Sequence, residues 1–167
     1  MQALELTDIK DFMNKFLRTD IFDNFLLQEG MIAGAASYTI DGRITRDFYS
    51  SEETEELGIA GLRFLPYRML RDSCFDLIKG KKTPVSFRFV LLLSPENISR
   101  TLAGTRSSFT KDDITGMFYN IHFQDKTLTL TTGVSYKIFS VDKSLEQEWD
   151  RMACQFLKQH KIPYTKL

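Results

Sequence analysis

The chain has 167 residues, 43 % hydrophobic and 13 % aromatic, and its 22 basic and 22 acidic side chains leave a formal net charge of zero. These values exclude a disordered chain and argue against a binder that attracts polyanions through net charge alone; the length fits one domain with one core. Two cysteines, Cys74 and Cys154, are too few for a disulfide scaffold and lack metal-type Cys-x-x-Cys spacing.

The opening "MQALELTDIKDF" shows no basic leader followed by an apolar run, and no stretch approaches the roughly 20 apolar residues of a membrane helix. A soluble, cytoplasmic chain without membrane contact is expected. A short strand with Leu4 and Leu6 on one face leads into a helix capped at Thr7 or Asp8. Ile9, Phe12, Met13, Phe16 and Leu17 recur at helical spacing, so Lys10, Asp11, Asn14, Lys15 and Arg18 face away from the core.

In "FLLQEGMIAGAASYTIDGRITRDF", Asp41-Gly42 reads as a hairpin turn, with an unfixed register around it. "SSEETEEL" reads as an acidic surface turn or short helix started by Ser50 or Ser51. Pro66 to Lys79 reads as one helix with Tyr67, Leu70, Cys74, Leu77 and Ile78 on its buried stripe. "PVSFRFVLLLS" is predicted as a central strand with Val85, Phe87, Phe89, Leu91 and Leu93 inward. A second short helix follows, with Ser94 as cap, Pro95 at its first position and Gly104 at its end.

Three strands come next, "MFYNIHFQ", "TLTLTT" and "VSYKIF". A two-residue turn at Asp125-Lys126 sets Phe123 opposite Leu128, Ile121 opposite Leu130 and His122 opposite Thr129. The last helix runs from about Ser144 to His160, with a Ser144/Gln147 capping-box pattern and a stripe of Leu145, Trp149, Met152, Ala153, Phe156 and Leu157.

Few residues announce chemistry. "DLIKGKKTPVSF" contains Gly-Lys-Lys-Thr, but a phosphate-binding loop needs Gly, four residues and Gly-Lys-Ser/Thr opening a helix; here the helix precedes the loop. Gly80 ends that helix and the lysines lie at its negative end. His122 shares a strand face with Asn120 and Thr129, a polar site that could serve a small enzyme or ligand-binding domain, and that also fits an ordinary wet sheet face. Two histidines without a cysteine cluster give no zinc site, and neither a metal nor a cofactor is expected. Cys74, on an apolar stripe, is not expected to act as a nucleophile.

Charge is regional. Asp47 to Glu56 holds five acids and no base, whereas Arg63 to Arg88 holds seven bases and two acids, with Arg63, Arg68, Arg71, Lys81 and Lys82 as candidates for a basic patch.

The segments "LELTDIKDFMNKFL" and "LLLSPENISRTLAG" each place a strand, a Ser/Thr cap and a short amphipathic helix before several strands. This twice-repeated β-α-β-β-β order resembles one domain of a DNA sliding clamp. The resemblance implies an α+β fold with a mainly antiparallel sheet. It also implies DNA-backbone contacts from Lys10, Asn14, Lys15 and Arg18 on the first helix and Ser99 and Arg100 on the second. "DIKDFMNKFL", "TIDGR" and "KGKKTPVSF" also resemble an uncharacterised bacterial family of unknown function. The expectation is one α+β domain, with a long C-terminal helix, acting as a non-catalytic binding or scaffolding module whose partner is protein or DNA.

Overall fold

Alternating apolar residues in seven segments pair into a single antiparallel sheet in the computed structural model, which describes residues 1–167. The strands are β1 (Ala3–Leu6), β2 (Leu26–Ala33), β3 (Ser37–Asp41), β4 (Ser86–Leu92), β5 (Ile114–Gln124), β6 (Thr127–Tyr136) and β7 (Tyr164–Lys166). Their order across the sheet is β3-β2-β4-β5-β6-β1-β7. The helices are α1 (Ile9–Arg18), α2 (Ser51–Glu56), α3 (Arg71–Ile78), α4 (Pro95–Gly104) and α5 (Ser144–Gln159).

Period-two alternation decides which sheet face is sealed. Phe87, Phe89 and Leu91 of β4, Tyr119, Ile121 and Phe123 of β5, and Leu128 and Leu130 of β6 point into one core shared with the helices. Phe16 of α1 meets Phe89 edge-on at 5.0 Å and stacks on Tyr67 at 4.6 Å, while the Tyr67 hydroxyl donates to the Phe16 carbonyl at 3.0 Å. Trp149 of α5 stacks on Tyr119 at 4.7 Å, and its indole N–H donates to the Phe118 carbonyl at 3.1 Å. Such aromatic pairs add specific geometry to area burial.

Helix starts follow local chemistry. Asp8 accepts from the Asp11 amide, Ser94 accepts from the Asn97 amide with Pro95 in the first turn, and Ser50 with Glu53 closes a capping box. The α5 start differs from expectation: Ser144 is the first helical residue and makes no capping box, and the Asp142 carboxylate accepts from its amide instead. The predicted helix from Pro66 is two pieces, a 3₁₀ turn at Tyr67–Met69 and α3, joined at Leu70. Val85 is exposed because β4 begins one residue later.

The Asp125-Lys126 turn forms as expected. Both residues have positive φ, 52° and 63°, as a tight hairpin turn between right-twisted strands requires, and Ile121, His122 and Phe123 face Leu130, Thr129 and Leu128. "TLTLTT" and "VSYKIF", however, are not two strands joined by a turn at Gly133: β6 runs unbroken through Gly133, which pairs with Phe118, to Tyr136. Asp41-Gly42 is no hairpin turn. β3 turns back from β2 near Gly34, where the Gly34 amide donates to the Ala36 carbonyl at 3.0 Å, and Asp41-Gly42 lies at the far end of β3. There Gly42 donates to Gln28, the extra residue of a bulge in β2.

The strand pairing does not confirm the sliding-clamp resemblance. Helix α4 joins the neighbours β4 and β5, whereas α1 joins β1 and β2 across most of the sheet, because β1 inserts between β6 and β7. The two expected repeats are therefore not built alike, and all seven strands share one sheet.

Burial holds several acidic hydroxyls and one thiol neutral. Desolvation pushes the Cys74 thiol from 9.0 up to about 12 and the Tyr136 phenol up to about 12, and it raises Tyr67 and Tyr119 as well. A folded value above the unfolded one favours the fold fully below the unfolded value and loses that contribution as pH rises through the folded one. Urea midpoints should thus hold steady to about pH 9, the ordinary thiol value, and fall between there and about pH 12. A flat profile across that window would contradict the burial of these groups. At pH 8, a thiol reagent should modify Cys74 only as fast as the protein unfolds.

Candidate functional site

Side chains on the second face of the sheet point away from the core that α1, α3, α4 and α5 share. One rung crosses all seven strands as Thr39, Met31, Arg88, His122, Thr129, Glu5 and Thr165. The next runs Asp41, Glu29, Val90, Asn120, Thr131 and Ala3. Met31 and Arg88 are exposed, and His122, Thr129, Val90 and Asn120 are half-buried. Arg88 pairs with Glu29 at 3.2 Å, tying the two rungs together.

Asn120, His122 and Thr129 do come together, as strand pairing required. The Thr129 hydroxyl donates to the His122 carbonyl at 3.4 Å, so it supports the strand and not the imidazole. The Asn120 Oδ1 atom is covered yet has no hydrogen-bond partner.

Beside these rungs the face becomes apolar. A cleft of ≈ 270 Å³ is lined by Phe64, Val90, Leu92, Gly116 and Phe118, with Gln28 and Arg63 among the polar groups at its edge. Phe118 faces Gly133 across the β5–β6 pair, and its ring fills the space of the missing side chain: a Cβ there would sit 2.3 Å from Phe118 Cζ. Leu26, Ile59 and Phe64 are buried outside the main core. The segment from Ile59 to Phe64 thus forms one wall of the cleft, which sequence periodicity did not reveal because that segment has none.

The residues expected to contact DNA are distributed differently. Lys10, Asn14 and Arg18 are exposed on α1, but Lys15 pairs with Asp11 at 2.6 Å and donates to the Lys161 carbonyl at 2.8 Å. The Arg18 guanidinium lies 5.9 Å from the Phe75 ring centre. On α4, Ser99 is exposed and Arg100 pairs with Glu96 at 2.6 Å. Both helices belong to the layer over the buried sheet face.

The candidate basic patch is not one surface. Arg71 grips Asp23 with two bonds of 2.9 and 3.1 Å. Arg68 donates to the Leu57 carbonyl at the end of α2, where a cation offsets the helix dipole. Arg63 lies over Phe64 at the open-face cleft, and Lys81 and Lys82 are exposed in the loop after α3. No ion pair joins the acidic 47–56 segment to the basic 63–88 segment.

The helix layer carries a second concavity, a groove of ≈ 700 Å³ between α4, α5 and the chain after α1, lined among others by Asn24, Phe25, Asn97, Arg100, Arg151 and His160. Its arginines face their own helix neighbours, since Arg151 is held by Glu148 and Gln155 as Arg100 is by Glu96. His160 packs on Phe156 at 4.6 Å. No three His, Cys, Asp or Glu side chains are placed to hold a metal ion, and no helix is long and apolar enough to cross a membrane.

A seven-stranded antiparallel sheet with four of its helices packed on a shared core places this protein in the α+β class. The chain belongs to a family of unknown function (DUF5721), whose model matches residues 15–165. No curated protein and no solved structure matches it.

Proposed function

We propose that the protein is a non-catalytic binding module that engages a protein partner through the open face of its sheet. The observation that carries this reading is the cleft lined by Phe64, Val90, Leu92 and Phe118, set beside polar rungs on the face opposite the core that α1, α3, α4 and α5 share. An apolar hole edged by Gln28, Arg63, Thr115 and Ser135, with the polar rungs of Asn120 and His122 beyond Val90, suits a projecting apolar side chain anchored by surrounding hydrogen bonds, the usual division between a buried anchor and a polar rim. Strand backbones hold this surface rigid, so docking needs little rearrangement.

The helix side supports the DNA reading less well. Phosphate contact requires cations free to release counterions, and Lys15, Arg71 and Arg100 are already paired within the chain.

Photo-crosslinking residues placed singly at Val90 and His122, with Lys10 and Ser99 as helix-side controls, test the reading in cells that make the protein. A discrete protein adduct from Val90 and His122, lost when Thr131→Arg is added, is expected. Adducts confined to Lys10 and Ser99 would overturn it. So would duplex-DNA binding that weakens with salt and is abolished by joint replacement of Lys10, Lys15 and Arg18 by Ala, because that result assigns the partner to the helix layer.

A further inference from the structure

Strand β3 ends the sheet, and one side of its backbone is unpaired. Exposed edges are normally guarded by an inward charge, a lysine, a proline or a bulge, because a bare edge templates another strand. Ser37-Tyr38-Thr39-Ile40-Asp41 has none of these in its middle, and its five residues pair with β2 in unbroken register. Ser37, Tyr38, Thr39 and Asp41 are all exposed.

The sequence of this edge is complementary to itself. Turned antiparallel about Thr39, it sets Thr39 against Thr39, Tyr38 against Ile40 and Ser37 against Asp41. These are a Thr–Thr pair, an aromatic on a β-branched residue and a hydroxyl facing a carboxylate, all favourable cross-strand pairs. The two Asp41 carboxylates fall at opposite ends of the ladder, about four residues apart at roughly 3.4 Å each, so no like charges oppose.

The faces agree as well. Tyr38 and Ile40 pair with Ile32 and Gly30, both buried on the helix side, whereas Thr39 stands in the open-face rung with Met31. The Asp41 Oδ1 atom accepts from the Arg43 amide at 3.0 Å, leaving the second oxygen for a serine across the axis.

We infer that the protein forms a symmetric dimer with a second copy of its own chain, pairing β3 with β3 about Thr39 into one continuous fourteen-stranded sheet, twice the seven of each copy. A five-residue ladder with the exposed Tyr38 makes a small interface, so the association is reversible and concentration-dependent. The open faces of the two copies then lie side by side on one surface.

Sedimentation over a range reaching near-millimolar protein reads the association, and cysteine pairs read its register. Wild type should shift from monomer to dimer, and Thr39→Lys should raise the dissociation constant about tenfold or more by placing two lysines face to face on the axis. In a Cys154→Ser background, Thr39→Cys alone should give a disulfide dimer under mild oxidation. Ser37→Cys and Asp41→Cys should do so only when the two proteins are mixed, because each faces the other across the axis. A monomer at every concentration overturns the inference. So does a dimer indifferent to Thr39→Lys, or a Ser37→Cys protein that crosslinks with itself as readily as Thr39→Cys does. If Thr39→Lys did not fold, the cysteine series would still decide the register.

Discussion

Trp149→Ala should lower stability by about 3–5 kcal/mol and the melting temperature by roughly 10 °C or more. Trp149 is the only tryptophan, 1 % exposed, stacked on Tyr119 and bonded through its indole N–H to the Phe118 carbonyl. Truncation leaves a large cavity between α5 and the sheet and strips a strand carbonyl of its donor. Trp149→Phe separates the two effects: it keeps most of the packing and loses the hydrogen bond, for about 1–2 kcal/mol. Urea denaturation followed by circular dichroism reads both variants, since tryptophan fluorescence disappears with the residue. A Trp149→Ala protein within 1 kcal/mol of wild type, the scale of a surface change, would contradict α5 as the lid of the core.

Gly42→Ala should be comparably damaging, on the order of 3 kcal/mol. A Cβ at this position would lie 1.7 Å from the Leu27 carbonyl oxygen and 2.8 Å from its carbon, both backbone atoms of a strand bonded on either side. A side chain could rotate away; this backbone cannot. The Gly42 amide donates to Gln28 at 3.1 Å and its carbonyl accepts from the Leu65 amide at 2.8 Å. Moving Gly42 therefore disturbs the β2 bulge and the segment that walls the open-face cleft. Gly58→Ala is the control: Gly58 has φ +68° with nothing nearby, so its replacement costs only backbone strain, about 1 kcal/mol. Equal losses from the two substitutions would show that close approach is not what Gly42 provides. Chemical denaturation under identical conditions makes the comparison.

Much of this molecule follows from neighbours within a few residues. Heptad-scale stripes located α1 and α5, serine and aspartate caps located the starts of α1, α2 and α4, and the Asp125-Lys126 turn fixed the β5–β6 register. The grouping of Asn120, His122 and Thr129 was legible for the same reason, because a two-residue turn ties opposite residues to sequence distance.

Where the sequence misled, a distant contact decided. Asp41-Gly42 carries turn chemistry, yet glycine is needed there because the bulged strand β2, at Leu27, comes too close for any side chain. Among the cations expected on the DNA-facing helices and in the basic patch, Lys15 and Arg100 have partners one helical turn away, Asp11 and Glu96, whereas Asp23 for Arg71 and the Lys161 carbonyl for Lys15 lie far along the chain.

By itself, then, the sequence determined the α+β class, the positions of α1, α4 and α5, most inward residues of β4 to β6 and one hairpin register, all set by periodicity, caps and turns that act locally. Only the tertiary structure decided that β1 inserts between β6 and β7, that α1, α3, α4 and α5 share one core with one sheet face, and that Phe64 comes to line a cleft with Val90, Leu92 and Phe118. Those outcomes depend on pairing and packing between segments separated by many tens of residues, whose free energy exists only once the whole core has closed.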